Sequence, residues 1–377
     1  MSKRIIQFGT SRFLQAHADL FVHEARLLGQ DIGPITVVKT TKGAERSGRV
    51  SAFGSGGGFP VIIRGLDDHK VLDEKIFVKS VDQGLVADDD WLAVVRLFSD
   101  EAEIVISNVG ESGYAIPVAD EIAPHELGDV PEGFPAKLLS LLLARFNSNG
   151  RPMLILPCEL VSENGKVLRG LLEQLSNQWH LDGAFKTWLA TKIVICDTLV
   201  DRIVSEAIEP IGAVAEPYAL WAIKRVPNLV FPFSHPAVIL TDDLTPYVRL
   251  KLHILNLGHS FLAEIWQSEN RPSKETVREI LNGDDVMRRL MALYSEEVIP
   301  GFGCYNMTEQ ATAYVAKTIT RFQNPFLNHL LSDIAQNHQL KIERRAVDFI
   351  QWVKLRKSTA KFTLIQQLID HSQLRYV

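Results

Sequence analysis

The sequence is poor in cysteine and has no block of like charge. Its three cysteines are widely separated and form no Cys-x-x-Cys pair: Cys158, Cys196 and Cys304. This odd, scattered set argues against a disulfide framework and a structural zinc site, so reduced thiols in the cytoplasm are expected. With a formal net charge of −5 and no basic cluster, the chain is expected to bind neither nucleic acid nor an anionic membrane.

Long hydrophobic runs are also absent. The longest, Leu138 to Ala144, is far shorter than the ~20 residues that span a bilayer. The opening stretch MSKRIIQFG has no apolar segment of signal-peptide length, so neither secretion nor membrane anchoring is expected. What the 377 residues do have is 46% hydrophobic composition, enough for a large core in about two domains.

Short apolar runs alternate with amphipathic stretches up to about residue 243, which predicts parallel strands separated by helices. We expect an α/β fold, with a Rossmann-like doubly wound sheet in residues 1–244 and a mostly α-helical substrate domain in residues 245–377. The predicted strands include Arg4 to Phe8, Ile35 to Val38, Ile76 to Val81 (antiparallel to Val61 to Arg64), Ile104 to Asn108, Met153 to Leu156, Ile193 to Cys196, Leu229 to Phe233 and Val238 to Thr241. The predicted helices include Phe13 to Leu28, Asp90 to Phe98, Pro135 to Phe146, Lys166 to Trp179, Glu275 to Tyr294, Glu309 to Arg321 and Phe326 to Asn337.

A candidate dinucleotide site follows the first strand, where Gly9 precedes a predicted helix. In an open parallel sheet such a turn can hold a pyrophosphate, although a plain strand-to-helix turn remains an alternative. No acidic residue ends the second strand; Lys39, Lys42 and Arg46 follow instead and leave NADP open beside NAD. The candidate cofactor residues are Gly9, Thr10, Ser11, Arg12, Phe13, Lys39, Asn108 and Glu111. The glycine-rich Gly54 to Gly58 lacks the Gly-Lys-Ser/Thr ending of a P-loop and is predicted to be a loop.

A candidate catalytic group lies in the predicted helix Tyr247 to Trp266. At α-helical spacing Lys251, Asn256 and His259 project at roughly 0°, 140° and 80° and share one side of the helix. An amine desolvated by apolar neighbours can take a proton from an alcohol near neutral pH, and an amide can stabilise the resulting oxygen. On spacing alone, ordinary partly exposed helix residues remain an alternative.

Several ordered motifs then point to one family. They are QFGTSRFLQAH (from Gln7), ISNVGESGY (from Ile106), PCELVSENGKVL (from Pro157), CDTLVDRIV (from Cys196), EPYALW (from Glu216), TDDLTPY (from Thr241), K-x4-N-x2-H (from Lys251) and RFQNPFLNHLLSDIAQN (from Arg321). Together they resemble the polyol-specific long-chain dehydrogenases, which include mannitol 2-dehydrogenase, fructuronate reductase and tagaturonate reductase. The patterns around Leu160 and TDDLTPY are more similar to the tagaturonate reductase branch.

The resemblance implies metal-independent hydride transfer between NAD and a secondary alcohol or ketone of a sugar-derived substrate. It implies that Lys251 is the general base, Asn256 a donor to the alkoxide and His259 a hydrogen bonder that orients the substrate. The sequence departs from the family in two places. Ser11 and Gln15 stand where a glycine and an arginine are usual, and Leu160 replaces a second asparagine, so Asn256 is expected to stabilise the alkoxide alone.

Further residues have two interpretations each. We assign Glu159, Arg321, Asn324, His329 and Lys341 to substrate binding, while helix capping and hydrogen bonding between domains compete for Arg321, Asn324 and His329. For Thr198, Asp201 and Arg202, a structural ion pair between the last two is at least as good an interpretation as catalysis. His253 lies roughly 200° from Lys251 around an α-helix and is not expected to be catalytic.

The leading hypothesis is therefore an NAD-dependent hexitol dehydrogenase that converts a D-altritol-like hexitol to a ketohexose such as D-tagatose. A tagaturonate or fructuronate reductase is the first alternative, in which Arg321 or Lys341 grips the substrate carboxylate. A catalytically silent dinucleotide-binding sensor is the second, and a zinc-dependent alcohol dehydrogenase lacks a clustered ligand set. We expect no metal, a small-molecule partner, and a monomer or small homo-oligomer.

Overall fold

The computed structural model describes residues 3–41, 43, 47–67, 70–356 and 360–374. The chain divides into two compact units. The first comprises Met1–Ile63, Glu74–Ala215 and Ala219–Leu244, and the second comprises Arg64–Asp73, Glu216–Tyr218 and Thr245–Val377. Two short segments from the earlier part of the chain therefore belong to the second unit, and nothing in their composition had marked them.

Thirteen strands lie in the described residues. They are β1 Lys3–Phe8, β2 Ile32–Lys39, β3 Phe59–Asp67, β4 Lys70–Val78, β5 Val81–Val86, β6 Ala102–Ser107, β7 Met153–Pro157, β8 Ile193–Ile195, β9 Thr198–Asp201, β10 Val204–Ala207, β11 Ala213–Ala215, β12 Leu220–Lys224 and β13 Val238–Thr241. Three sheets result, in the orders β5-β2-β1-β6-β7-β8, β10-β11-β3-β4 and β13-β12-β9.

The six-stranded sheet is parallel throughout. Counted along the chain, its strands have the order 3-2-1-4-5-6, which is the Rossmann arrangement. Ile5, Ile6 and Phe8 of β1 are fully buried, as expected for a central parallel strand covered on both faces. The predicted doubly wound α/β fold is confirmed.

In the part of the chain that the structure describes, seven α-helices accompany the sheets: α1 Arg12–Gln15, α2 Ala18–Leu27, α3 Ser47–Phe53, α4 Ala87–Asp100, α5 Phe134–Ser148, α6 Asn164–Gln178 and α7 Gly183–Lys192. The predicted single helix from Phe13 to Leu28 is wrong, because His17 interrupts it with φ −128° and ψ −98°. The buried His17 ring contacts Phe21 and Trp221, and its Nε2 lies 3.0 Å from the Leu220 carbonyl. These long-range contacts outweigh the local helical pattern.

Of two further strand predictions, one is confirmed only in part and the other is wrong. The run Ile76 to Val81 covers the end of β4, which neighbours β3, and the start of β5, which joins the parallel sheet beside β2. Leu229 to Phe233 forms no strand. Its aromatic rings pack instead, with Phe231 5.0 Å from Phe233 between ring centroids, and Pro232 removes a donor that a strand would need.

The second unit is mostly helical, as predicted. Its helices are α8 Thr245–Leu250, α9 Leu257–Ser268, α10 Val277–Leu281, α11 Asp284–Ala292, α12 Ile299–Gly303, α13 Thr308–Phe322, α14 Leu331–Ile334, α15 His338–Ile342, α16 Asp348–Lys354 and α17 Thr363–Leu374. Three π turns interrupt this series: Lys251–Asn256, Leu293–Val298 and Glu343–Val347. One apolar core that includes Ile254, Leu262, Leu290 and Phe302 holds the unit together.

Two helix predictions in this unit were too long. Glu275 to Tyr294 is broken at Gly283, which precedes α11, and Phe326 to Asn337 is helical only in α14. Among the described residues, no helix has both the length and the apolar character needed to cross a bilayer.

Candidate active site

The first part of the site lies at the carboxyl edge of the parallel sheet, where β1 and β6 end side by side. Gly9 follows β1 with φ +111°, a backbone conformation that favours glycine. Its N–H donates to the Val38 carbonyl at 3.0 Å, and a Cβ on Gly9 would lie only 2.5 Å from the Asn108 carbonyl oxygen. Because β2 and β6 flank β1, Gly9 occupies the position where the strand order reverses, which is where such sheets bind ligands.

The predicted helix N-terminus beyond Gly9 is short. Ser11 caps α1, and its Oγ accepts the Leu14 N–H at 3.2 Å. Thr10 is buried, and the Phe13 ring stacks on His17 at 4.7 Å. One N–H group of the first turn is therefore already satisfied, and the glycine turn is the main feature that a dinucleotide could use.

The charged and polar side chains of this region already form hydrogen bonds within the protein. Arg12 donates to the Glu209 carboxylate at 2.7 Å and to the Gly212 carbonyl at 3.0 Å, and burial lowers its pKa. Gln15, which replaces a usual arginine, accepts the Gly212 N–H at 2.6 Å. Lys39 is buried and donates to the carbonyls of Thr41 and Gly43 at 2.6 and 2.7 Å.

Four further sequence-predicted residues of this edge differ in how much of them the structure describes. The Asn108 amide donates to the Cys158 carbonyl at 2.7 Å. Glu111 begins a 3₁₀ turn, Glu111–Tyr114, but its side chain lies outside the described part of the chain. Lys42 and Arg46 also lie outside the described residues.

Glu159 is a cross-link inside the first unit. Its carboxylate accepts the Ser107 hydroxyl at 3.2 Å, the Val109 N–H at 3.1 Å and the Tyr114 hydroxyl at 3.0 Å. Burial raises the pKa of this carboxyl group. With three protein donors on its two oxygens, Glu159 fixes the loop that follows β6.

The polar residues after β8 are likewise structural. Thr198 donates its hydroxyl to the Pro157 carbonyl and its N–H to the Asn164 side chain, and Arg202 donates to the Ala16 carbonyl at 2.7 Å. Asp201 and Arg202 are both buried. This supports the structural interpretation of the segment over the catalytic one.

The second part of the site is the helical segment that contains the Lys-Asn-His group. Lys251 and Asn256 are the two ends of the π turn Lys251–Asn256, and His259 lies in the first turn of α9. The α-helical angles given above therefore do not apply. In a regular α-helix two residues five apart diverge by roughly 140°, whereas a π turn joins residues five apart by its backbone hydrogen bonds. From this hydrogen-bonding pattern we expect Lys251 and Asn256 to lie on the same face, one turn apart.

His259 is buried beside a second imidazole. Its ring centroid lies 4.5 Å from Phe322 and 4.8 Å from His329, edge to face. His259 Nε2 and His329 Nδ1 are buried and have no hydrogen-bond partner among the described residues. Burial lowers the pKa of both rings, and the positive charge of Arg321 and Lys341 adds to this effect. Both imidazoles are therefore neutral at neutral pH. Each has one ring nitrogen that can donate a hydrogen bond to a hydroxyl group and one that can accept a hydrogen bond from it.

The remaining substrate candidates are partly committed to protein contacts. Arg321 binds the Glu216 carboxylate through two hydrogen bonds of 2.9 and 2.7 Å and lies over the Tyr218 ring at 4.4 Å. Asn324 donates to the Arg64 carbonyl at 3.2 Å and accepts the Phe326 N–H at 3.0 Å.

Lys341 donates to the Ile334 carbonyl at 2.8 Å. Burial, and after it the charge of Arg345, lower the pKa of Lys341. Lys341 therefore contacts a carbonyl group, whereas Arg321, the other cation proposed for a substrate carboxylate, contacts the Glu216 carboxylate.

Some residues of the site were not found from the sequence. Arg345 donates to the Asn256 carbonyl at 3.0 Å, and Tyr294 donates to the Ile254 carbonyl at 2.9 Å. One signal for Tyr294 was available: Gly258 sits inside a helical pattern next to the catalytic candidates, and such a glycine often marks a close approach. His253, as expected, is structural, because its Nδ1 bonds the Arg345 carbonyl at 3.0 Å. The described residues contain no group of three or more metal-ligating side chains placed to hold an ion.

Both parts of the chain match domains of known proteins. Residues 3–230 match the mannitol dehydrogenase Rossmann domain, and residues 243–374 match the mannitol dehydrogenase C-terminal domain. The chain is 29% identical over 369 residues to the altronate oxidoreductase of Halalkalibacterium halodurans, which covers 92% of this chain and 70% of that protein. It is 28% identical to the Bacillus subtilis altronate oxidoreductase, over 91% of this chain and 73% of the relative.

Two solved structures share the fold. A D-sorbitol dehydrogenase in substrate-free form superposes with a TM-score of 0.81 at 18% identity, over 98% of this chain and 80% of that one. The Pseudomonas fluorescens mannitol 2-dehydrogenase, in a ternary complex with NAD and D-mannitol, gives a TM-score of 0.75 at 19% identity, over 99% and 79% of the two chains.

Proposed function

Because the chain belongs to the mannitol dehydrogenase family, we propose that it catalyses reversible hydride transfer between NAD and a secondary alcohol of an open-chain hexitol. The observation that supports this most is the π turn Lys251–Asn256, whose hydrogen bonds five residues apart are expected to place both side chains on one face. His259 follows in the same segment, and its Nε2 has no hydrogen-bond partner among the described residues. A base, an amide and a neutral imidazole are the groups that deprotonation of a polyol hydroxyl requires.

We assign the dinucleotide to residues 1–244 and catalysis to residues 245–377. The Gly9 turn has the properties that a pyrophosphate site needs, since it lies at the switch point of the sheet and leaves no room for a side chain. Two of the three Lys39 donors are used by backbone carbonyls, which favours NAD over the 2′-phosphate of NADP. A bound nicotinamide supplies a hydride acceptor or donor at its C4.

In the oxidation direction, Lys251 removes the hydroxyl proton of the substrate while the carbinol C–H bond breaks and its hydride leaves. The amide of Asn256 donates to the oxygen on which negative charge develops. His259 accepts or donates a hydrogen bond at a neighbouring hydroxyl and so orients the polyol. The product is a ketose, such as D-tagatose from a D-altritol-like hexitol, and reduction follows the same steps in reverse.

The contact between Arg321 and Glu216 bears on the charge of the substrate. Glu216 accepts from Nε and Nη2, one edge of the Arg321 guanidinium, in a buried pair, so Arg321 and Glu216 together bring no net charge to a ligand. This favours a neutral polyol over a sugar acid. The second candidate, reduction of a keto-sugar acid such as tagaturonate or fructuronate, is favoured by the altronate oxidoreductase relatives, with Lys341 as the cation for the carboxylate.

A substrate screen separates these candidates. Purified protein is assayed with hexitols, pentitols and hexuronates, each with NAD or NADP in the matching redox state, by the absorbance of the reduced nicotinamide. Turnover of neutral hexitols with NAD and none of hexuronates is the expected result. Turnover of hexuronates alone would replace the leading candidate by the second. Dinucleotide binding without turnover of any of these compounds would indicate a sensor and contradict both.

A further inference from the structure

We propose that Tyr294 and Arg345 are positioning residues that hold the π turn Lys251–Asn256 in register and thereby align Lys251 with Asn256. The proposal rests on the proposed function, because it assigns these two residues to the same reaction. Neither residue lies near the catalytic candidates in sequence: Tyr294 is 40 residues from Ile254, and Arg345 is 89 residues from Asn256.

A π turn needs support from outside the helix. The Leu257 N–H bonds the Leu252 carbonyl, five residues back, as well as the Ile254 carbonyl. This register differs from that of α8 and α9 on either side, so carbonyl groups at the junction lose their regular helical partners. π turns are rare for this reason, and they persist where neighbouring groups satisfy the displaced backbone.

Tyr294 supplies the first external donor. Its hydroxyl donates to the Ile254 carbonyl at 2.9 Å, and the residue is fully buried. Burial raises the pKa of Tyr294 far above its ordinary value, so the hydroxyl stays protonated and remains a donor. Gly258 makes this contact possible, because a Cβ there would lie 1.9 Å from the Tyr294 hydroxyl oxygen.

Arg345 supplies the second external donor, and its contacts extend over a longer stretch of the segment. Its Nη1 donates to the Asn256 carbonyl at 3.0 Å and to the Ser260 hydroxyl at 2.9 Å. Its own carbonyl faces His253 Nδ1 at 3.0 Å. Arg345 thus contacts the segment before, at and after the end of the π turn.

Burial lowers the pKa of Arg345 to about 10, so the guanidinium is still charged at neutral pH. Charge-assisted donors bind carbonyl oxygens more strongly than neutral ones. Tyr294 and Arg345 themselves lie in the other two π turns, Leu293–Val298 and Glu343–Val347. Three irregular turns therefore contact one another through these side chains.

Without these two donors, the segment is expected to relax towards regular α-helix. Lys251 and Asn256 would then lie roughly 140° apart around the axis, at opposite edges of the side that they share, instead of one above the other. A base and an oxyanion donor that no longer face the same atom lose most of their combined effect. Misplacement of a catalytic group by about 1 Å is sufficient to slow a reaction about a hundredfold.

The test compares Tyr294→Phe with Tyr305→Phe. Tyr305 is a matched control because its hydroxyl also donates to a backbone carbonyl, that of Trp352, at 2.6 Å. For each variant kcat and KM with a hexitol, the dissociation constant of NADH and the hydrogen exchange of amides 251–260 are measured. We expect kcat of Tyr294→Phe to fall about tenfold to a hundredfold, with an unchanged NADH constant and faster exchange in this segment. Tyr305→Phe should leave kcat and this exchange unchanged.

Arg345 is tested by three substitutions. Arg345→Met should lower kcat by a similar factor, and Arg345→Lys should recover only part of it, because one ammonium group does not reproduce the planar guanidinium. Arg344→Met is the control, since Arg344 lies exposed on the same turn. The proposal is overturned if Tyr294→Phe and Arg345→Met keep wild-type kcat and wild-type exchange, or if their controls lose as much.

Failure of the proposed function can be distinguished from failure of the positioning role. If the wild-type protein turns over no polyol or sugar acid, hydride transfer is not its activity. The exchange measurement is independent of turnover and still decides whether Tyr294 and Arg345 hold the turn. Wild-type exchange in both variants would then reject the positioning role as well.

Discussion

Each unit contains one candidate site, and the two candidate sites are built from different materials. In the first unit, the candidate cofactor edge is made of backbone: Gly9 fits against the Asn108 carbonyl, and the charged side chains around it are tied into the protein. In the second unit, the candidate catalytic centre is made of side chains on a π turn, with the His259 Nε2 and His329 Nδ1 atoms unpartnered among the described residues. The contrast predicts that single side-chain changes affect chemistry in the second unit and that backbone changes affect binding in the first.

The largest effect is expected for Lys251→Ala. Removal of the general base should lower kcat by about 10²- to 10⁴-fold. The NADH dissociation constant, measured by fluorescence titration, should not change, because the first unit holds the dinucleotide. Loss of NADH binding together with turnover would contradict this division of roles.

Asn256→Ala should be next, with a decrease in kcat of about 10²- to 10³-fold. Leu160 replaces a second asparagine of related enzymes and is 68% exposed, so Asn256 has no substitute at the alkoxide. Steady-state kinetics with a hexitol measure the effect, and exposed Asn282→Ala is the control. Nearly intact turnover of Asn256→Ala would refute the assigned role.

The buried ion pair of the second unit should affect stability rather than chemistry. Glu216→Gln leaves the Arg321 guanidinium, with 4% of its side chain exposed, without a countercharge. The free energy of unfolding should fall by about 3–5 kcal/mol in denaturant titrations. Asp285→Asn, which breaks an exposed pair with Arg288, should have little effect. Equal losses in both variants would show that burial does not decide the energy of these pairs.

Gly9→Ala tests the backbone-built edge of the first unit. The added Cβ must displace the end of β6, so we expect the NADH dissociation constant to rise about tenfold, equivalent to about 1.4 kcal/mol. Gly29→Ala is a matched control, because Gly29 also has a positive φ of +76° but nothing within 4 Å of its added Cβ. The same weakening in both variants would point to general backbone strain.

The smallest effect is a pH dependence of stability. Because burial lowers the pKa of His259, the folded protein keeps this ring neutral while the unfolded chain takes up a proton below about pH 6.5. The neutral His259 ring therefore makes its full contribution to the free energy of unfolding above about pH 6.5. As the pH falls below this value, that free energy decreases by up to about 1.4 kcal/mol per pH unit. His259→Leu should reduce that slope in denaturant titrations between pH 6.5 and 5, and exposed His125→Leu should not. If the wild-type protein and His259→Leu lose stability equally per pH unit, a neutral His259 in the folded protein is contradicted.

The same contrast explains what the sequence could predict. The apolar run of β1 and the glycine after it are local signals, so the Rossmann sheet and the Gly9 turn could be predicted. The Lys251, Asn256 and His259 spacing was also visible, but its meaning depends on the π turn. The proposed supports of that turn, Tyr294 and Arg345, lie 40 and 89 residues from the carbonyl groups that they contact, and Gly258 is the one local signal that points to either of them.

Long-range pairing also explains what the structure adds to the predicted binding residues. Arg321 stays a predicted binding residue, and its contact with Glu216, 105 residues away in the chain, is not visible in the local sequence. Glu159 also stays a prediction, and its carboxylate accepts from Ser107, Val109 and Tyr114. The residue types were informative, and the partners required the structure.

Transfer of deuterium tests the central claim most directly. A hexitol carrying deuterium at its reacting carbinol carbon is incubated with NAD and either wild-type protein or Lys251→Ala, and the nicotinamide product is analysed by mass spectrometry. We predict one deuterium in each reduced nicotinamide formed by the wild-type protein, with formation about 10²- to 10⁴-fold slower in the variant. Reduced nicotinamide without deuterium, or equal rates for the two proteins, would contradict direct hydride transfer with Lys251 as the base.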